Sequence, residues 1–264
     1  MARSASLDSY WLPTYGWWPP SDEYALSAFL VPYHAAVDER ARFSFTLRGY
    51  DGSDQPLWEH DIGEVGFGDQ RVVTLEDVGI AAAPEPHGGV LEIHSVRLDQ
   101  PPPKGTGWIG MLLDVRGRAG GGYLIPTVPI RGAAKVLVQD DTQVVPGVVV
   151  TADTDTELLI LNPIGERTEV ELTLAAPDGV STDGAAVVVE PWSAWSGSLR
   201  SAVPRARKLL EPSNGIGSLV LTSGHRMLPF FGFRRDGHAI VSLDHAAPIF
   251  GEVKVKRRVA PPGG

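Results

Sequence analysis

The chain has 264 residues, 43% of them hydrophobic and 21% charged, with 30 Gly, 22 Pro, no Cys and a formal net charge of −9. That length accommodates two ordinary domains, and the glycine and proline content argues for many turns rather than long helices. The lack of cysteine excludes disulfides, thiolate zinc sites and a cysteine nucleophile, while the negative charge opposes general attraction to nucleic acid or to an anionic membrane.

The first distinctive stretch is "SYWLPTYGWWPP", Ser9 to Pro20, which sets three tryptophans and two tyrosines among prolines. It belongs to an aromatic and proline-rich segment over 1–20. No apolar run of secretory-leader length precedes it and none of membrane-span length follows, so the expectation is a cytoplasmic protein without membrane insertion. Short strand-like runs then recur in order: "ALSAFLV", "ARFSFTLRGYD", "RVVTL", "GGVLEIHSVRL", "GWIGMLLDVRG", "TELLILN", "TEVELTLAAPDG", "AAVVVEP", "GSLVLTSG", "PFFGFRRDG" and "HAIVSLD". In "RFSFTLRG" and "TEVELTLAA" every second residue is apolar, the period of a half-buried strand. Asp51-Gly52, Asp178-Gly179, Asp183-Gly184 and Asp236-Gly237 are expected at tight hairpin turns, where glycine accepts a positive φ. One short helix is expected, over Pro204 to Leu210.

The chain repeats itself. "FLVPYHAAVDERARFSFTLRGYDG" sets beside "LILNPIGERTEVELTLAAPDG" with Phe43, Phe45 and Leu47 over Val170, Leu172 and Leu174. "GGVLEIHSVRL" then matches "IGSLVLTSGHRM", and "YLIPTVPIRG" matches "IVSLDHAAPIFG", in the same order. The reading is all-β: two tandem immunoglobulin-like β-sandwich domains arising by internal duplication. The first is expected over 21–132 and the second over 148–256, with a linker over 133–147 and a disordered tail over 257–264.

The second half resembles an immunoglobulin-like repeat of bacterial proteins in three places: Asn162-Pro163 ending a strand, Asp178-Gly179 ending an alternating strand, and the later strand "GSLVLTS", Gly217 to Ser223. The first half is similar to the sensory rhodopsin transducer family through "YWLPTYGWWPP", "ALSAFLV" and "HSVRLD", His94 to Asp99. These resemblances imply β-sandwich folds and signalling or assembly by contact. They carry over no active-site residue.

Asp153, Asp155 and Glu157 in "TADTDTE" fall at every second position and could clamp a hard cation on one strand face, although a polar loop leading into "ELLIL" is the plainer reading. The seven histidines show no local metal-ligand spacing. In "SLDH" the neighbours Asp244 and His245 would point to opposite faces of a strand, so Ser242, Asp244 and His245 cannot form one relay, and no nucleophile elbow is present. "NGIGSLVL" leads into a strand, not the helix that a phosphate cradle needs. Arg200, Arg205, Arg207 and Lys208 form one basic cluster and Lys254, Lys256, Arg257 and Arg258 another; edge-strand lysines facing water are the plain reading of the latter, an acidic or nucleic-acid partner the alternative.

The candidate binding residues are therefore aromatic: Trp11, Tyr15, Trp17 and Trp18 in the opening segment, and Trp192 and Trp195 in a loop after a strand. The opening group either seals the protein's own fold or a subunit contact, or recognises an external ligand. Trp58 and Trp108 are expected in strands and in the core. The residues point to a non-enzymatic binding or assembly module with no cofactor and no metal, whose partner is another protein or a second copy of the chain. A carbohydrate-binding protein is the alternative, and a metal-dependent enzyme with a His and carboxylate site assembled in space is the more distant one.

Overall fold

A computed structural model describes residues 13–20, 24–30, 42–66, 69–81, 83–98, 112–118, 122–126, 128–129, 141–235, 240–245 and 247–248. Its first strands are β1 (Thr14–Trp18), β2 (Tyr24–Leu30), β3 (Arg42–Tyr50), β4 (Trp58–Gly66), β5 (Arg71–Thr74), β6 (Gly89–Arg97), β7 (Leu112–Gly117), β8 (Gly122–Pro126) and β9 (Val128–Pro129). There follow β10 (Asp141–Val149), β11 (Thr154–Asn162), β12 (Thr168–Ala175), β13 (Thr182–Val189), β14 (Ser193–Ser198), helices α1 (Leu199–Ala202) and α2 (Ala206–Leu210), then β15 (Ile216–Ser223), β16 (Leu228–Arg235), β17 (Ile240–His245) and β18 (Ala247–Pro248). The described chain is all-β, built from open antiparallel sheets. Among the described residues no helix is long and apolar enough to cross a membrane.

Strand order follows one plan twice. In the first half, β5-β2-β7-β8 form a four-stranded sheet and β4, β3, β6, β1 and β9 pair in that order. In the second half, β14-β11-β16-β17 and β13-β12-β15-β10-β18 pair in the corresponding orders. Each strand thus has a counterpart nine places later. The residue matches seen in the sequence fall on counterparts: Phe43, Phe45 and Leu47 on β3 and Val170, Leu172 and Leu174 on β12 all turn inward, at most 1% exposed.

Two apolar clusters hold these layers. One fills the space between the five-stranded sheet and one face of β11, with Val170, Leu172, Leu174, Leu219 and Leu221 meeting Leu158 and Ile160. The other fills the first half and continues into Leu159 and Leu161 on the opposite face of β11, together with Ala194, Leu228 and Phe230. β11 is thus buried on both faces, and this is why "ELLIL" is a continuous apolar run where β12 alternates. At about 1.5–3 kcal/mol for each fully buried leucine-sized side chain, the shared strand couples the two halves strongly.

Several expectations change. The linker expected over 133–147 is, from Asp141 on, part of β10; a bulge between Val145 and Val148 lets both valines face the core, so the segment earns its place by burial. Asp183-Gly184 is no turn: it lies inside β13, where Asp183 pairs with Arg205 and Gly184 faces Thr173. Asp51-Gly52 and Asp178-Gly179 do sit at positive-φ positions (75° and 69°), and the Asp178 carboxylate accepts the amides of Val180 and Ser181. Asp236-Gly237 and the tail over 257–264 lie outside the described residues. The short helix runs from Ala206, and α1 precedes it. Leu199, Val203, Ala206 and Leu210 recur at helical spacing and are fully buried, so the helices plug the second core.

Candidate functional site

β1 turns the opening segment into sheet. Trp17 pairs with Val90 and Trp18 with Gly89, and the two indoles are 2% and 3% exposed. Trp17 Nε1 donates to the His87 carbonyl (3.0 Å) and Trp18 Nε1 to the Ala81 carbonyl (3.2 Å), so each ring spends its polar edge inside the fold. Tyr24 meets Trp17 edge-on at 5.0 Å, and Trp58 meets Trp18 at 5.4 Å. Gly88 must be glycine here: its φ is +81°, and a Cβ would stand 2.4 Å from Trp17 Nε1. Trp18 closes the first core beneath the β5–β6 connection, the place where α1 and α2 close the second. A small cleft of about 30 Å³ remains beside it, lined by Tyr24, Leu26, Leu75 and Ile80 among others. Tyr15 is also buried, so Tyr15, Trp17 and Trp18 offer no open ring face to a ligand. Trp11 and Trp108 lie outside the described residues.

Trp192 meets Tyr15 at the seam between the halves, and Trp195 lies beside His87. Trp192 sits in the turn after β13 with φ 50°, a left-handed conformation that costs a tryptophan roughly 1–3 kcal/mol. It stacks on Tyr50 at 4.8 Å, approaches Tyr15 at 6.5 Å, and its carbonyl accepts the Gly52 amide at 3.2 Å. Its Nε1 is buried and without a hydrogen-bond partner. Trp195, expected in a loop, lies on β14 and is half-buried. The His87 ring lies 6.3 Å away at 27°, and His87 Nδ1 is 3.3 Å from Ser196 Oγ.

A charged row crosses the sheet next to these rings. Register places Glu59 opposite Arg48, Arg48 opposite Glu92, and Glu92 opposite Tyr15. Arg48 donates to Glu59 (2.6 Å) and Glu92 (3.1 Å), and the Tyr50 hydroxyl donates to Glu92 (3.2 Å). Burial, reinforced by the Glu92 charge, pushes both the Tyr15 and Tyr50 phenols well above the usual tyrosine range. Burial lowers His94 on the same face.

The expected sites thus divide. Tyr15 meets Trp192 at the seam, Trp195 lies beside His87 and against the second core, and Trp17 and Trp18 go to the first core. The "TADTDTE" carboxylates each face an arginine: Asp153 with Arg235 (3.6 Å), Asp155 with Arg200 (3.6 Å) and Glu157 with Arg234 (2.9 Å). Among the described residues no group of three His, Asp or Glu is placed to hold a metal. In the first basic cluster Arg200 and Arg205 are engaged by Asp155 and Asp183, while Arg207 and Lys208 face solvent; the second cluster lies outside the described residues. Asn162, part of the Asn-Pro pair, is fully buried, and its Nδ2 donates to the carbonyls of Glu166, Val189 and Glu190. His87, Ser196, Tyr50 and the Arg48–Glu92 pair were not singled out by sequence. Ser196 and His87 are 109 positions apart, and no local pattern joins them.

No protein-family model matches the chain, and no curated protein matches it either.

Proposed function

We propose that the chain is a non-enzymatic binding or assembly module of two immunoglobulin-like β-sandwiches related by duplication, contacting another protein or further copies of itself. The repeated strand order and the buried Asn162 clamp support the duplicated-sandwich reading, and the cysteine-free composition fits a cytoplasmic setting. The observation that carries the binding role is an in-register apolar row on the outer face of the four-stranded sheet. Phe29 pairs with Val72 on one side and Leu112 on the other; Val72 is 46% and Leu112 41% exposed. Such a row on a pleated surface suits a protein contact.

The test is Val72→Asp with Leu112→Asp, compared with the native chain by light scattering and chemical cross-linking. Loss of a self-contact or of a cross-linked partner is expected. An unchanged assembly state and cross-link pattern would count against the reading. Carbohydrate recognition is the second reading, favoured by Trp195, half-exposed beside His87 and Ser196, where an indole face adjoins hydrogen-bonding groups. Quenching of tryptophan fluorescence by a soluble polysaccharide, lost in Trp195→Ala, would move the assignment there.

A further inference from the structure

We infer that the apolar row Val72, Phe29 and Leu112 docks a second copy of this chain, head to tail, on the end of that copy's five-stranded sheet that carries Ile216, Val149 and Val180. The inference rests on the binding-module reading and names the module's partner. The row has a counterpart in the second half that is already covered. Phe29 is the last residue but one of β2 and pairs with Val72, the second residue of β5, and with Leu112, the first of β7. Leu161 is likewise the last but one of β11 and pairs with Ala194, the second residue of β14, and with Leu228, the first of β16. The two rows occupy one place in the recurring strand order, each on the face turned away from its own half's core. Ala194, Leu161 and Leu228 are buried in the cluster that fills the first half, whereas Val72 and Leu112 stand in the open.

What lies against the second-half row shows what fits the first-half one. Tyr15, Tyr50 and Val90 belong to the same buried cluster as that row; Trp192, two residues before Ala194, stacks on Tyr50, and its carbonyl accepts the Gly52 amide. This end of the first-half sheet, where Tyr50 and Trp17 both face Val90, also has a counterpart. Leu47 faces Ile93 as Leu174 faces Leu219, so Val90, three residues before Ile93, matches Ile216, three before Leu219. Trp17, opposite Val90, then matches Val149, opposite Ile216, and the Asp51-Gly52 turn matches Asp178-Gly179, which Val180 follows. Val90 is fully buried, but Ile216 is 51% and Val180 83% exposed. The chain thus makes one packing contact internally and leaves the two surfaces of the same contact open, one on each half. Because those surfaces differ, joining them between copies is heterologous and adds chains in series, as a ring or a filament. It removes from water Val72, Leu112, Ile216 and Val180, large apolar side chains that a single chain leaves exposed.

The experiment mixes two variants that each keep one of the open surfaces. Val72→Asp with Leu112→Asp spoils the row, Ile216→Asp with Val180→Asp spoils the sheet end, and circular dichroism checks that both fold. Sedimentation of the native chain is expected to show oligomers that grow with concentration. Each variant alone should associate at least about tenfold more weakly, and their equimolar mixture should form a one-to-one dimer and nothing larger, since one sound row and one sound sheet end remain. A second measurement avoids the charged substitutions: the chain has no cysteine, so Leu112→Cys and Ile216→Cys chains treated with a bis-maleimide should give a cross-linked dimer when mixed and none separately. A native chain still monomeric at about 0.1 mM, above the micromolar range of specific contacts, overturns the proposal. So does a Leu112→Cys chain that cross-links to itself, which would set row on row, and so does a mixture that gives no dimer in either measurement. If the native chain is monomeric but Val72→Asp with Leu112→Asp loses a cross-linked partner of another sequence, the module reading stands and only the self-contact falls.

Discussion

Trp17→Ala separates a sealed core from a recognition surface. The side chain is 2% exposed, and an indole buries about 150–250 Å², worth roughly 4–6 kcal/mol at about 25 cal/mol per Å². Truncations of this kind cost about 3–5 kcal/mol, and the loss also strands the His87 carbonyl, which Trp17 Nε1 holds at 3.0 Å. Taking about 4–6 kcal/mol together, against a total of roughly 5–15 kcal/mol for a folded domain, the variant should stand close to unfolding. In urea, with a slope of about 3 kcal/mol per molar, the midpoint should fall by about 1.5 M. Trp17→Phe keeps a ring against Tyr24 and loses mainly the N–H, so roughly 1–2 kcal/mol is expected. Equilibrium urea unfolding followed by circular dichroism measures both. A Trp17→Ala chain within about 0.5 kcal/mol of native stability, the range of ordinary surface changes, would refute the packing argument and return β1 to the list of recognition surfaces.

Stability should narrow at both ends of the pH range. Burial lowers His94 and His225, so the unfolded chain binds protons below the usual histidine pKa that the folded chain refuses; the urea midpoint should fall as pH drops below about 6.5. A midpoint flat from neutrality to pH 5 would contradict this. Tyr15 and Tyr50 are raised, so their contribution is complete below about pH 10 and is lost as pH rises beyond it; in ultraviolet titration these two of the six tyrosines should ionise only with unfolding. Reversible ionisation of all six in the folded chain would be the contrary result. Asn162→Ala removes the donor shared by three carbonyls and should cost about 2–4 kcal/mol, lowering Tm by roughly 6–12 °C; a shift under about 2 °C would show that water replaces the amide.

How much of this was legible in sequence depends on how local the cause is. Alternation in "RFSFTLRG" and "TEVELTLAA" identified β3 and β12 because each strand has one wet face, and the inward set is a property of the strand alone. The continuous run in "ELLIL" is equally local, but its meaning is not. Only the fold reveals that Leu158 and Ile160 serve one core while Leu159 and Leu161 serve the other. Asp183-Gly184 misled for the same reason, since a dipeptide that suits a turn also sits in an edge strand when Arg205 is close enough to hold the carboxylate.

The tryptophans show the limit most clearly. An indole has the same chemistry whether it awaits a ligand or closes a core, and prolines on either side fit both. The difference lies in whether the N–H finds a carbonyl and whether a glycine lets the ring approach, and for Trp17 those partners are His87 and Gly88, 70 positions away for the hydrogen bond. The recurring strand order sharpens the point. Where the second half closes its core with Leu199, Val203, Ala206 and Leu210 in a connection carrying two short helices, the first half has a β5–β6 connection of similar length, residues 75–88, and closes with Leu75, Ala83 and Trp18, the last hydrogen-bonded to Ala81. Tyr15, Trp17 and Trp18 are thus part of how the first core is closed, and these side chains are constrained by volume. On the proposed reading, recognition falls instead on the surface that this packing leaves open, and the apolar row at Phe29 is the place to look for a partner.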